Sequence, residues 1–250
     1  MANPNVVVIT GGSRGIGAET ARLFARHGYD VCLNYVENDA AAERVRSDIL
    51  ALGVRCLAVK ADVSKADEVA NLFRRVDQEL GTLTVLVNNA AILNAQARLV
   101  DISPERFGNV LQKNVMSCFL CCKEAVQRMS TRQGGAGGSI VNVSSMAAKS
   151  GSPNEYVDYA ASKGAVDTLT RGLALEVAAE GIRVNAVRPG LIYTEMHALG
   201  GEPARVDRLK SRIPLQRGGQ PSEVAEAIVW LASDKSSFAT GTLLDLAGGL

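Results

Sequence analysis

The chain has 250 residues, 47% of them hydrophobic, with 27 basic and 26 acidic side chains and a formal charge of +1. That length suits one large α/β domain with a sizeable core, and the near-neutral balance argues against nucleic acid or an anionic membrane as partner. Met1-Ala2-Asn3-Pro4-Asn5 lacks a basic region and leads into only four apolar residues, Val6 to Ile9, which is neither a signal peptide nor a transmembrane run.

Five cysteines, Cys32, Cys56, Cys118, Cys121 and Cys122, form an odd set without nearby histidines. They read as small buried hydrophobes in a reducing compartment, so no metal is expected and the location is expected to be cytoplasmic.

Asn5 to Ile9 reads as a short buried strand, followed by Thr10-Gly11-Gly12-Ser13-Arg14-Gly15-Ile16-Gly17 and an apolar-periodic helix to about Arg26. Strand, glycine turn and helix in succession let a backbone approach a pyrophosphate at a helix N-terminus, which makes Gly11, Ser13, Arg14, Gly15, Ile16 and Gly17 candidate dinucleotide contacts. No Gly-Lys-Ser/Thr follows, so this is not a nucleoside-triphosphatase loop.

The second strand, Asp30 to about Tyr35, ends where an acid would hold the adenosine ribose of NAD. Asn34, Tyr35 and Val36 occupy that corner instead, and Arg14 stands ready to attract a 2′-phosphate. The balance leans to NADP, with NAD kept open by Glu37.

A helix over about 39–52 leads to a third strand, Arg55 to Lys60, closing with Ala61-Asp62-Val63. Asp62 reads either as an acceptor for an adenine amino group or as a cap for the segment beginning near Ser64. After a helix to about Leu80 comes the strand Leu83 to Val87 and the corner Asn88-Asn89-Ala90-Ala91, where two asparagines can brace neighbouring strands and line a cofactor crevice. Leu99 to about Met129 is mostly helical by pattern, with Asn114 in its middle against poor propensity. The run Thr131 to Gly138 reads as a flexible surface loop.

The apolar run Ile140-Val141-Asn142-Val143 ends at Ser144-Ser145, and a helix carrying Tyr159-Ala160-Ala161-Ser162-Lys163 follows, extending to about Ala179. Four residues apart on a helix, the Tyr159 phenol and the Lys163 ammonium share a face. At ~5 Å and an effective dielectric of ~20 the cation favours the phenolate by roughly 3 kcal/mol before desolvation is counted. Tyr159 is therefore a candidate general acid/base.

A strand Ile182 to Val187 precedes Arg188-Pro189-Gly190, with Ile192 and Thr194 at alternate positions suited to a planar amide and its phosphates. The charged segment near 194–214 has the character of a substrate lid. A helix capped near Ser222 and a strand Thr242 to Leu246 complete an alternating pattern, which implies one domain over 1–250: a doubly wound parallel sheet of about seven strands with helices on both faces.

Assembled, these residues resemble the short-chain dehydrogenase/reductase family over nearly the whole chain. The matching motifs, in order, are Thr10 to Gly17, Asp62-Val63, Asn88-Asn89-Ala90, Asn114, Ser145, Tyr159 with Lys163, and Pro189-Gly190. The resemblance implies a Rossmann-type fold and a nicotinamide cofactor. In the roles it implies, Tyr159 exchanges a proton with the substrate oxygen and Lys163 lowers its pKa and holds the nicotinamide ribose. Ser145 polarises the carbonyl, and Asn114 supports a relay water.

Three features depart from the family pattern. Ala91 replaces a glycine, the Ser145 to Tyr159 gap is one residue longer than common with Ser144 as the alternative serine, and the corner after the second strand carries neither the usual acid nor the usual base.

The leading expectation is an NADP(H)-dependent oxidoreductase acting on a small carbonyl or alcohol. Within that class the chain is similar to 3-oxoacyl-carrier-protein reductases and glucose 1-dehydrogenase-like enzymes. Outside it stand a non-catalytic NADP(H) sensor, which has no use for the proton relay, and a serine hydrolase, for which only His27 and His197 are present. The resemblance also implies a homotetramer, with Phe119, Leu120, Leu169, Leu173 and Leu175 compatible with either an interface or packing on the sheet.

Overall fold

Runs of four to eight residues rich in valine and isoleucine, apolar on both faces, make strands covered from both sides. In the computed structural model, which describes residues 5–250, they are β1 (Val6–Ile9), β2 (Asp30–Tyr35), β3 (Cys56–Lys60), β4 (Leu83–Asn88), β5 (Gly138–Val143), β6 (Ile182–Pro189) and β7 (Leu243–Leu246). They form one sheet in the order β3-β2-β1-β4-β5-β6-β7, parallel throughout. All four residues of β1 are buried.

The helices α1 (Gly15–Arg26), α2 (Asp39–Leu50) and α3 (Ala66–Glu79) follow the first three strands. Residues of α1 and α2 share one hydrophobic cluster with α10 (Pro221–Ala232). On the other face α3 packs with α5 (Ser117–Met129) and α7 (Val157–Val177). Between α3 and α5 lies α4 (Pro104–Leu111), started by Ser103, whose hydroxyl accepts from the Arg106 N–H at 3.2 Å. Three short helices are α6 (Ala147–Ser150) after β5 and α8 (Met196–Leu199) and α9 (Arg205–Leu209) in the lid segment, where a 3₁₀ turn at Lys210–Arg212 follows α9.

The chain direction along the sheet reverses between β1 and β4, which opens a crevice beyond their carboxyl ends, the usual ligand position in such folds. Asparagines brace its floor. Asn88 and Asn142 sit side by side on β4 and β5; the Asn88 amide donates to Asn142 Oδ1 at 2.9 Å, and the Asn142 amide donates to the Thr170 hydroxyl on α7 at 2.9 Å.

Two expectations change. The helix over 99–129 is broken into a 3₁₀ turn at Leu99–Asp101, α4, a π-helical turn at Gln112–Met116, and α5. The glycine-rich run 131–138 is not a slack loop: it forms a 3₁₀ turn at Thr131–Gln133 and then enters β5. A side chain on Gly137 would sit 2.5 Å from the Gly181 carbonyl, and the Gly137 N–H donates to Met129 O at 2.8 Å. Gly135, Gly137 and Gly138 serve close approach of backbones, and Gly134 ends the 3₁₀ turn with a φ of +85°.

The cysteines are free and all but Cys56 are buried. Cys118 and Cys121 have C-x-x-C spacing, but they lie within α5 and are packed in the core. Burial pushes the Cys121 thiol far above its ordinary value, the state of a structural rather than a reactive thiol.

Candidate active site

A cavity of about 620 Å³ opens beyond the carboxyl ends of the strands and is lined by Asn89, Ser145, Tyr159, Lys163, Gly190 and Thr194 among others. They come from the segments after β4, β5 and β6 and from α7, and the fold delivers all of them to one end of the sheet.

The glycine turn fits a dinucleotide. Gly11 and Gly15 have φ of +63° and +53°, and a side chain on Gly17 would meet the Gly11 carbonyl at 2.3 Å. Arg14 begins α1 without a side-chain cap, and the first turn has no acid. The N-terminus of α1 is thus left to an anion, with the backbone close enough to receive a pyrophosphate. The Asn89 amide donates to the carbonyls of Thr10 and Gly11 at 3.0 Å each, and the Thr10 hydroxyl accepts from the N–H groups of Asn89 and Ala90. Asn89 therefore shapes the turn, while it, Ile16 and Ala91 face the cavity. From the far side Thr194 closes over Gly15, its methyl 3.3 Å from where a side chain there would begin.

The corner after β2 differs from expectation at Asn34. This residue is 1% exposed, and its amide donates to the carbonyls of Ala61 at 2.7 Å and Val59 at 3.3 Å while Oδ1 accepts from the Gly11 N–H at 3.4 Å. Its polar atoms are spent on holding β2, β3 and the glycine turn together, so it supports the corner without facing a cofactor. Tyr35 is half-buried and Arg14 exposed.

Of the two readings of Asp62, adenine acceptor or cap, its hydrogen bonds show the bracing of the turn toward Ser64. One oxygen accepts from the Ser64 N–H at 3.1 Å and hydroxyl at 2.7 Å, and the other from Lys113 of the π turn. These bonds hold its carboxyl below the ordinary value although burial pulls the other way. Val63 beside it is buried.

Tyr159 and Lys163 stand on the first turns of α7. The Lys163 ammonium is 2% exposed and donates to the Val143 carbonyl at 2.8 Å, and it lies 5.5 Å from the centroid of the Tyr159 ring. Burial pushes the phenol up to about 12, opposed by its hydrogen bond with Ser145. Burial pushes the lysine down to about 8. Burial therefore outweighs the lowering of the phenol expected from Lys163. The reason is physical: one cavity desolvates both charged forms, and that cost exceeds their attraction.

The two serines are separated by their partners. Ser144 is 2% exposed and its hydroxyl donates to the Lys163 carbonyl at 3.2 Å, whereas Ser145 bonds the phenol and accepts from the Ala147 N–H at 3.1 Å. The extra residue between Ser145 and Tyr159 is absorbed in a loop where Gly151, Ser152 and Asn154 all have positive φ.

Asn114 is 2% exposed at the centre of the π turn. Its Oδ1 accepts from the Ile92 N–H at 2.8 Å, and its amide donates to the Ile92 carbonyl at 3.1 Å and the Ser162 hydroxyl at 3.0 Å. The side chain stitches the segment after Ala91 to α7, leaving neither amide N–H for a water and one lone pair of Oδ1 unused.

Pro189, Gly190 and Ile192 line the cavity on the β6 side. Over them lies the 194–214 segment, folded as α8, α9 and the 3₁₀ turn; Arg205 of α9 bonds Glu155 and Glu202 and stacks on the Tyr156 ring at 5.1 Å. Leu93, Met146 and Tyr156 line the wall beside them. Sequence reasoning missed Ser162, although it lies one turn after Tyr159 and directly before Lys163. His197 lines the cavity with Nε2 on the Ile192 carbonyl at 2.9 Å and makes no bond to Ser145, which removes the hydrolase reading.

The sequence profile described as Enoyl-(Acyl carrier protein) reductase matches residues 11–250. The chain is 58% identical over 244 residues to an uncharacterized oxidoreductase, YgfF, of Escherichia coli K12, covering 98% of this chain and 99% of that one. It is 37% identical over 244 residues to the 3-oxoacyl-[acyl-carrier-protein] reductase FabG of Staphylococcus aureus Mu50, covering 97% and 96%. It is also 39% identical over 256 residues to a glucose and ribitol dehydrogenase homolog of Oryza sativa subsp. japonica, covering 98% and 85%. A crystal structure of a short-chain type dehydrogenase/reductase from Mycobacterium marinum superposes with a TM-score of 0.89 at 34% identity, covering 98% of this chain and 94% of that one. Fold, profile and relatives agree that this chain is an oxidoreductase of the short-chain dehydrogenase/reductase family.

Proposed function

We propose that the protein is an NADP(H)-dependent enzyme that interconverts a carbonyl and an alcohol, with Tyr159 as the general acid/base. The observation that carries this reading is the joint placement of Ser145, Tyr159 and Lys163 in the cavity that the glycine turn also borders.

The nicotinamide nucleotide supplies the hydride when bound. In the reduction direction the Tyr159 hydroxyl gives its proton to the substrate oxygen, and the Ser145 hydroxyl donates a hydrogen bond to the same oxygen. Lys163 lies behind the phenol, where its ammonium supports the phenolate once the proton has left; its place at the cavity wall also suits a ribose hydroxyl. Gly11 to Gly17 would hold the pyrophosphate, Asp62 and Val63 the adenine, and Pro189 to Thr194 the amide end. With both amide N–H groups spent on Ile92 and Ser162, the Asn114 side chain can serve a relay water only as an acceptor, through the second lone pair of Oδ1.

The preference for NADP rests on the exposed Arg14 and on the absence of a carboxylate at the end of β2. FabG and the glucose and ribitol dehydrogenase homolog point to 3-oxoacyl thioesters and sugars as the substrate classes to compare. Phe119 at 47% and Leu175 at 84% exposure support burial in a homotetramer, whereas Leu120, Leu169 and Leu173 already pack on the core.

The test is Tyr159→Phe assayed with NADPH and NADH against ketones, 3-oxoacyl thioesters and sugars. Turnover falls at least a thousandfold, within the span a positioned proton donor supplies, while cofactor affinity stays within about threefold, less than 1 kcal/mol. Equal turnover in the variant refutes the role of Tyr159.

A further inference from the structure

The lid segment and its continuation carry five cations, Arg205, Arg208, Lys210, Arg212 and Arg217. Four are spent on neighbouring carboxylates: Arg205 on Glu155 and Glu202, Arg208 on Glu202, Lys210 on Asp207, and Arg217 on Glu223. Arg212 has no carboxylate partner among the described residues, and it alone of the last four lines the cavity that holds Tyr159. Its backbone is fixed by the 3₁₀ turn and by Ile213, the next residue, which is 2% exposed.

The surrounding walls make this unpaired charge informative. Leu93, Met146, Pro153, Met196 and Leu209 present apolar surface. The one other lid cation on the cavity, Arg205, is neutralised. A substrate that spans the cavity meets a proton donor at Tyr159 and a single uncompensated guanidinium at Arg212. A planar guanidinium is a preformed receptor for a carboxylate or a phosphate.

We propose that Arg212 selects carbonyl substrates bearing an anionic group remote from the reacting carbon, a carboxylate or a phosphate monoester. This rests on the carbonyl reductase reading and narrows its substrate class. Neutral ketones and sugars fill the same cavity without using that contact.

The experiment compares matched pairs on the native protein, Arg212→Ala and Arg212→Lys. One pair is 7-oxooctanoate and its ethyl ester; the other is S-acetoacetyl-4′-phosphopantetheine and S-acetoacetyl-pantetheine. KM is read with NADPH, and Kd by calorimetry with and without NADP⁺. Arg212→Ala is expected to raise KM and Kd for the anionic member about tenfold, the size of one modest charge-assisted contact, and to leave the neutral member within about twofold. Arg212→Lys recovers part of the loss, and the pair that responds tells carboxylate from phosphate. An anionic-to-neutral ratio unchanged in Arg212→Ala for both pairs overturns the proposal while leaving the reductase reading intact. Absence of turnover by the native protein on every substrate sinks the reductase reading, and the calorimetric ratio still decides on Arg212.

Discussion

Replacing Lys163 with methionine should abolish turnover and at the same time stabilise the protein at neutral pH. Lys163 is 2% exposed, and its proton is held with a pKa of about 8 against an ordinary 10.5. Because the folded value is the lower one, the unfolded chain binds the proton more tightly, and stability from this group rises as the pH climbs from about 8 to 10.5. At pH 7 burying the charge costs ~3 kcal/mol, and at pH 10 only ~1 kcal/mol. Methionine escapes that cost but strands the Val143 carbonyl, which loses its partner at 2.8 Å, a penalty of ~1–2 kcal/mol at either pH. The net gain at pH 7 is therefore about 1–2 kcal/mol. The cleaner quantity is the difference between the two pH values, about 2 kcal/mol, from which the pH-independent hydrogen bond cancels. Urea unfolding of both proteins at pH 7 and pH 10 measures it. Parallel stability profiles would refute the claim that a desolvated ammonium sits beside Tyr159.

Three further outcomes follow from other parts of the site. Gly17→Ala places a methyl 2.3 Å from the Gly11 carbonyl; fluorescence titration should show NADPH affinity down more than tenfold, a change of over 1.4 kcal/mol. Asn114→Ala strands both polar groups of Ile92 and should cost about 3 kcal/mol, a fall in Tm of roughly 10 °C for a chain of this length; a change of less than 2 °C would show that the stitch carries little. Arg14→Ala should raise Kd for NADPH about tenfold and for NADH less than twofold. Equal effects on both nucleotides would remove the reason for preferring NADP.

The parts of the fold that could be read in the sequence were those with local causes. β1, the glycine turn and α1 announce themselves because the apolar run, the glycines and the helical period stand next to one another. Tyr159 and Lys163 were legible for the same reason, four residues apart on one helix. What was not legible depends on partners distant in sequence. Asn34 looks like a corner residue until the Val59 and Ala61 carbonyls, 25 and 27 residues away, claim its amide. Gly137 looks flexible until Gly181 arrives against it. The direction of the Tyr159 shift was missed because charge spacing shows in a sequence, whereas the desolvation set by a closed cavity does not.

The π turn at Gln112–Met116 bears on how this chain tolerates change in length. A π turn holds one residue more than the α turn it replaces, about 100° of extra rotation about the helix axis. Everything on α4, including Arg106 with its bond to Asp158 at 2.7 Å, is phased against α5 by that one residue. Deleting a residue between 112 and 116 would restore an ordinary helix and yet turn one half against the other. Asn114 would swing away from Ile92, or Cys118 from the core. The irregular turn works as a phase-setting joint, and a conventionally better helix at this place would make a worse protein.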